Sequence, residues 1–541
     1  MQSIIKLEDH PVILFACEEL VAASMRAGLQ WKVIEANKQI DDKSVIVGTW
    51  ATLKSKGWFP STLKFGVDHY LFGESDGHIW ISGQSERATL YAVYHFCKVY
   101  WGEQWIYPAE LTLSEPTNTS LHIVSYEPAF IRRGFVFETI NEPDYIISMI
   151  DWLVKNRINE VFFTFTLWDE LKDRIAPEIS KRGLSVTLGG HSMKFFLDKE
   201  TALNQSVANH PYTAIKQLNY QDKVWQEKIY EEIVAYCQDV PNLTRISLWP
   251  EDVAIEPDSE QTNSFLKSYI EYTEGLKATL IRKGIDITVE HIAYNAGLSW
   301  MMLERDGMEI SQEVDSLFAY WGRDYRYSFL ESPQKSDQRA CISLKDWIKG
   351  TKKSNRELTI FEYYSDQFML TPLFPLLSQR ITADLKEYNQ LGIEGITNLI
   401  VPVRTIENHP WHWIHQFNSY VFCRACWGDQ LEDILEDYYL YFQDKERAWI
   451  RCAFELVEEI LPAITTWNTL LFPARIVDPE MAKGNKKQSL DAYALLEEIS
   501  KNMQRLLQQS PLSEDNMANK YIEHLANYSH EMAKQWNDKK E

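Results

Sequence analysis

Long apolar runs are missing from this chain. None approaches the ~20 residues that a bilayer-spanning helix needs. Cysteine is scarce, with seven in 541 residues. The seven are scattered, and their number is odd. The opening MQSIIKLEDHPVILF is broken by Glu8, Asp9 and Pro11 and has no basic stretch leading into an apolar one. The expectation is therefore a cytoplasmic protein with reduced thiols rather than an exported disulfide scaffold. Cys423 and Cys426 form a CxxC inside the helical pattern NSYVFCRACW. With no second CxxC and no nearby histidine, packing is the expected role. Positive charge is in deficit: 55 Lys and Arg stand against 77 Asp and Glu, a formal charge of −22. That balance repels nucleic acid and anionic membranes, so neither is an expected partner. Low-complexity tracts, a GxGxxG or P-loop and an HExxH pair are also missing, so no cofactor and no metal are expected.

What remains is a long, aromatic-rich chain. Its length suggests two to four domains. Its 19 Trp and 27 Tyr suit large cores and also suit platforms for sugar rings. Residues 1–125 mix short strands and helices. VILFA (12–16), VIVGT (45–49) and HIWISG (78–83) read as buried strands, and Leu90, Val93, Tyr94 and Cys97 share one helical face before Gly102. Between about 130 and 402, eight apolar runs alternate with helical patterns: RGFVFET, EVFFTF, LSVTLGGHS, RISLWPED, DITVEHIAYN, DSLFAYWGRD, LTIFEYYSD and GITNLIVP. That is the signature of an α/β chain built on a (β/α)8 TIM barrel, expected over 126–426. It has an N-terminal α/β domain over 1–125. After 427 strand signals stop, and a C-terminal helical domain is expected over 427–541.

In such barrels chemistry sits at the C-terminal ends of the strands. Strand three ends in Gly189, Gly190 and His191. Strand four ends in Trp249, Pro250, Glu251 and Asp252, and strand five carries Glu290 and Tyr294. Strand six ends in Trp321, Gly322, Arg323 and Asp324; strand seven ends in Glu362, Tyr363, Tyr364, Ser365 and Asp366. Arg404, Glu407, His409 and Trp411 follow strand eight. Alternation in RISLWPED turns Ser247, Trp249 and Glu251 toward the axis. Strand seven is apolar on both faces, so its parity is open. If Glu362 faces inward, it converges with Glu251 or Asp252, and two carboxylates among aromatics are what glycoside hydrolysis needs. Glu251, Asp252 and Glu362 are thus the expected catalytic residues. His191, Trp249, Glu290, Tyr294, Trp321, Arg323, Tyr364 and Trp411 are the expected substrate contacts. His191 is included because the glycines before it let a ligand approach the backbone. Arg323 has two readings. It either holds a neighbouring carboxylate or grips a uronate through a planar fork.

SERATLYAVYHFCKVYWGEQWIYPAE, with Trp105, Tyr107 and Pro108, resembles the end of the N-terminal domain of alpha-glucuronidases and related exo-glycosidases. RRGF (132–135), WLVKNRIN (152–159), GGHSMKFFL (189–197), HP (210–211), GRDYR (322–326), FEYYSD (361–366) and FNSYVFCRACWGD (417–429) resemble, in order, a bacterial family of alpha-glucuronidase-like barrels. The resemblance implies a glycoside hydrolase barrel with an acid near Glu251–Asp252 and a second carboxylate near Glu362 or Asp324. The strand-four turn, PEDVAIEPDSEQ, lacks the cysteine that relatives often carry. Its Glu-Asp order is the reverse of the Asp-Glu of N-acetylhexosaminidases and counts against a substrate-assisted mechanism. The expected function is an exo-acting glycosidase on oligosaccharides, uronide-directed if Arg323 reads a carboxylate, with a homo-oligomer left open. A hexosaminidase-like enzyme and a non-catalytic carbohydrate-binding barrel are the rivals.

Overall fold

The eight apolar runs form one closed parallel barrel in the computed structural model, which describes residues 3–35, 43–58, 65–116, 122–191, 195–196, 223–250, 262–295, 300–366, 373–401, 414–463 and 486–538. Strand one is Arg132–Phe137, two Glu160–Thr164, three Ser185–His191 and four Leu243–Trp249. Strand five is Thr288–Tyr294, six Asp315–Ala319, seven Leu358–Asp366 and eight Gly395–Val401. Each pairs with the next, and strand eight closes on strand one. Helices follow most strands, among them Pro143–Lys155, Phe165–Arg182, Thr262–Arg282, Lys335–Ser354, Ser378–Gln390 and Ile414–Ala425. After strand five the described residues hold only a short 3-10 turn, Trp300–Met302.

Residues 3–126 contribute a six-stranded sheet with Pro11–Arg26 and Glu86–Trp101 packed against it. VIVGT and HIWISG are neighbouring parallel strands there. VILFA is not a strand. It lies in the helix Pro11–Arg26, where His10 caps the N-terminus and Pro11 takes the first turn. A short apolar run reads alike in a buried strand and in a buried helix, and the proline at the first helical position decides it.

Several of the motifs that carry the family resemblance build the junction between this sheet and the barrel. Arg133 (RRGF) and Arg87 grip Asp68 at 2.7 and 2.9 Å, and Asn159 (KNRIN) donates to the same carboxylate at 2.8 Å. Burial would raise that carboxyl's pKa, but the two guanidinium groups hold it down at about 2. Trp427 lies between Arg133 and Arg157, 4.8 and 4.6 Å from its ring. Arg157 and Arg424 share Asp429. Cys423 and Cys426 are fully buried thiols in this packing.

The last helices, Leu431–Tyr439, Asp444–Ile460, Lys486–Gln508 and Met517–Asp538, are tied to the barrel. Glu458 accepts from Ser378 Oγ and Gln379 N, both at 2.7 Å, and so caps the helix after strand seven. Tyr521 donates to the Phe374 carbonyl at 2.7 Å. No helix among the described residues is long and apolar enough to cross a membrane.

Candidate active site

Alternation divides each barrel strand into an axial and an outer face. At the N-terminal end the axial residues are charged. Arg132 binds Glu160 at 2.8 Å and Glu290 at 2.7 Å, and Arg245 binds Glu290 at 3.2 Å and Asp315 at 2.9 Å. Glu290, expected as a substrate contact, is therefore a fully buried member of the barrel floor. Burial pushes its carboxyl up, but Arg132 and Arg245 outweigh this and hold it below the usual range. A cavity of about 640 Å³ opens at this end, lined by Arg132, Asp315, Arg356, Glu357 and Thr359 among others. It lies opposite the end where barrel enzymes do chemistry.

Toward the other end, Ser247 and Trp249 face the axis as the alternation in RISLWPED predicts. The Trp249 indole donates to Ser247 Oγ at 3.0 Å, and its ring packs against Phe162, His191 and Phe361 at 5.2, 5.7 and 5.4 Å. Trp249 is thus a buried plug beneath the mouth. His191 Nδ1 lies 2.7 Å from the Pro250 carbonyl, and Tyr294 donates to the same oxygen at 3.0 Å. A carbonyl only accepts, so His191 carries its proton on Nδ1. Both residues fix the chain immediately before Glu251. The barrel itself requires the glycines before His191. A Cβ on Gly189 would come within 1.8 Å of the Ser247 carbonyl oxygen, and Gly190 has φ +82° beside Thr164. Glu251, Asp252, Trp411, Arg404, Glu407 and His409 lie outside the described residues.

Strand seven is where the geometry departs most from expectation. Thr359 and Phe361 face the axis, so Glu362 faces outward, toward the helix Ser378–Gln390. It is buried there and accepts from Arg323 at 3.0 Å, from Tyr325 at 3.0 Å and from Tyr388. Arg323 also binds Asp384 at 2.7 Å, and the Tyr364 hydroxyl donates to Asp384 at 3.0 Å. Glu362, Arg323 and Tyr364 therefore belong to one buried network between barrel and helix and do not face the mouth. Of the two readings of Arg323, the geometry fits the holding of a carboxylate, because its terminal nitrogens are committed to Glu362 and Asp384. Burial pushes Glu362 up. Arg323 opposes this, Asp384 adds to it, and the net result is a raised pKa. Asp324 is likewise engaged, with Arg326 at 2.7 Å.

The carboxylate of strand seven that reaches the axial face is Asp366. Glu362 pairs with Asn398, but Ser365 pairs with Ile400 and Asp366 with Val401. Three steps on strand seven thus match two on strand eight, a β-bulge. Tyr364 and Ser365 both face outward, Ser365 meeting Ser419 Oγ at 3.2 Å. The extra residue turns Asp366 inward at the C-terminal end. There its Oδ2 accepts from the half-buried Trp321 indole at 3.1 Å. Trp321 is itself fixed by Asn295, which accepts from its N–H at 3.0 Å and donates to its carbonyl at 2.8 Å. Glu138, half-buried, follows strand one on the same rim. Asp366 closes the LTIFEYYSD run, yet the strict alternation of a regular strand would have set it apart from the axial residues. The described residues contain no cluster of three His, Cys, Asp or Glu side chains that would hold a metal.

No known family profile and no curated protein sequence matches the chain. Solved structures do. A GH138 enzyme targeting pectin rhamnogalacturonan II superposes with a TM-score of 0.59 at 11% identity, covering 100% of this chain and 70% of its own. A GH115 4-O-methyl-alpha-glucuronidase with specificity for decorated arabinogalactans gives 0.61 at 12% identity, covering 100% and 73%. A GH20 beta-N-acetylhexosaminidase from Streptomyces coelicolor gives 0.51 at 11%, covering 81% and 90%. At these identities the likeness is one of fold: the chain has the barrel architecture found in several glycoside hydrolase families.

Proposed function

We propose that the chain is a glycosidase acting on oligosaccharides from the C-terminal mouth of its barrel. The observation that carries this reading is Asp366, a carboxylate turned to the axial face by a bulge and held against a half-buried tryptophan. Asp366 would serve as one of the two carboxylates of glycoside hydrolysis, with Glu251 or Asp252 as the other. Trp321 would offer a face to a sugar ring. The architecture shared with glycoside hydrolases supports the substrate class. The long connection between His191 and Leu243 supports a capped, exo-acting pocket. With Arg323 committed to Glu362 and Asp384, the uronide version lacks the cation that suggested it, and a neutral sugar is the better-supported substrate.

The test is a screen of aryl glycosides and uronosides with the purified chain, run beside Asp366→Asn. Turnover that depends on Asp366 supports the reading. Sugar binding without turnover would instead identify a carbohydrate-binding barrel.

A further inference from the structure

Strand seven reaches the mouth through its bulge, and the bulge is held by side chains rather than by the barrel's backbone ladder. At the extra residue the backbone of strand eight cannot match strand seven group for group. Asn398, on the outer face of strand eight, takes over. Its Oδ1 accepts from Tyr364 N at 3.0 Å, and its Nδ2 donates to Ser365 Oγ at 3.1 Å. Asn418, on the helix Ile414–Ala425, completes the hold. Its Nδ2 donates to the Tyr364 carbonyl at 2.9 Å and to the Pro375 carbonyl at 3.1 Å, and its Oδ1 accepts from Leu377 N at 3.0 Å. Both asparagines are buried. Between them they satisfy both backbone polar groups of Tyr364, which would otherwise be costly in the interior. On the near side of the bulge, the Tyr364 hydroxyl and Glu362 are pinned to Asp384 and Arg323. The first side chain beyond it that faces the axis is Asp366.

We propose that Asn398 and Asn418 are positioning residues, a clamp on the strand-seven bulge that aims the Asp366 carboxylate at the barrel mouth. The proposal rests on the reading of Asp366 as a working carboxylate, but its geometric half stands apart from activity. A regular strand seven would put residue 365 opposite Val401 and turn Asp366 toward the outer helices. A carboxylate displaced by about 1 Å from its reacting atom loses on the order of 100-fold in rate. The clamp therefore acts on turnover while touching no substrate.

The experiment uses the full-length chain with 15N-labelled tryptophan indoles. The Trp321 resonance is assigned with Trp321→Phe, and its response to Asp366 ionisation is identified by its loss in Asp366→Asn. In Asn398→Ala and Asn418→Ala the Trp321 signal should shift toward its Asp366→Asn position and lose that titration. On any aryl glycoside the wild type hydrolyses, kcat should fall about 100-fold, with KM little changed and an altered pH profile. If Asn398→Ala does not fold, Asn398→Asp reads the same resonance, since it keeps an acceptor for Tyr364 N and replaces the amide that donates to Ser365 Oγ with a carboxyl oxygen. A folded variant whose Trp321 signal titrates as in the wild type overturns the clamp. Full turnover in Asp366→Asn, with the Trp321 signal still moved by the asparagine variants, leaves the clamp standing and removes the catalytic reading of Asp366.

Discussion

Among the described residues, the two ends of the barrel present their carboxylates differently. At the floor, Arg132 and Arg245 stand among Glu160, Glu290 and Asp315, and each of these carboxylates meets at least one guanidinium within 3.2 Å. At the mouth, Asp366 accepts from the Trp321 indole, and His191 and Tyr294 turn their polar atoms to the Pro250 carbonyl. A buried ion pair closed on itself gives up its chemistry to hold strands together. A carboxylate set beside an indole donor at the rim, as Asp366 is, is placed for proton transfer. The floor reads as structure, although ionisable groups and a cavity gather there, and the proposed chemistry lies at the mouth.

The sharpest way to break this contrast is to change one carboxylate at the mouth. Asp366→Asn should lower kcat by about 10²–10⁴-fold, the usual worth of a general acid or base, with the variant still unfolding cooperatively in urea. Wild-type turnover in the variant would end the assignment. At the floor, the expected effect is smaller and falls on stability. Arg132→Met leaves Glu160 without its guanidinium and Glu290 with Arg245 alone, and should cost about 3–5 kcal/mol in urea unfolding. The residual folded chain should keep the KM of the wild type. A shifted KM with unaltered stability would mean that the floor touches substrate.

The barrel was legible because each strand is an apolar run closed by polar or turn residues, and because Ser247 and Trp249 keep strict alternation in RISLWPED. The candidate site was legible only in outline. LTIFEYYSD is buried on both faces, since barrel packing lies on one side and the helix Ser378–Gln390 on the other, so hydrophobicity could not tell inside from outside. A one-residue bulge then reversed the parity between Glu362 and Asp366, and nothing within the nine residues marks it. The partners that hold it, Asn398 and Asn418, come later in the chain and read as ordinary polar residues of a strand and a helix. Arg323 was ambiguous for a similar reason. Its two acidic partners, Glu362 and Asp384, lie on different elements, and only the fold brings them to one guanidinium.

The smallest effect separates two buried glutamates by pH. Glu290 faces two guanidinium groups, and its folded-state pKa is lowered despite burial. Its ionised form therefore adds stability, present above the unfolded-state pKa of about 4.3 and lost as pH falls below it. Glu362 shares Arg323 with Asp384, and burial prevails, so its folded-state pKa is raised. The folded chain then holds this proton more tightly than the unfolded chain does. The gain exists at low pH and disappears as pH rises through the raised value. Gln stands in for the neutral acid at either position. In urea unfolding between about pH 4 and about pH 8, the advantage of the wild type over Glu290→Gln should grow as pH rises. Against Glu362→Gln it should shrink. Opposite slopes would tie Glu362 to the outer network and away from the closed charge of the floor. If the two slopes have the same sign, the raised pKa of Glu362 is wrong, and Arg323 neutralises it as fully as Arg132 and Arg245 neutralise Glu290.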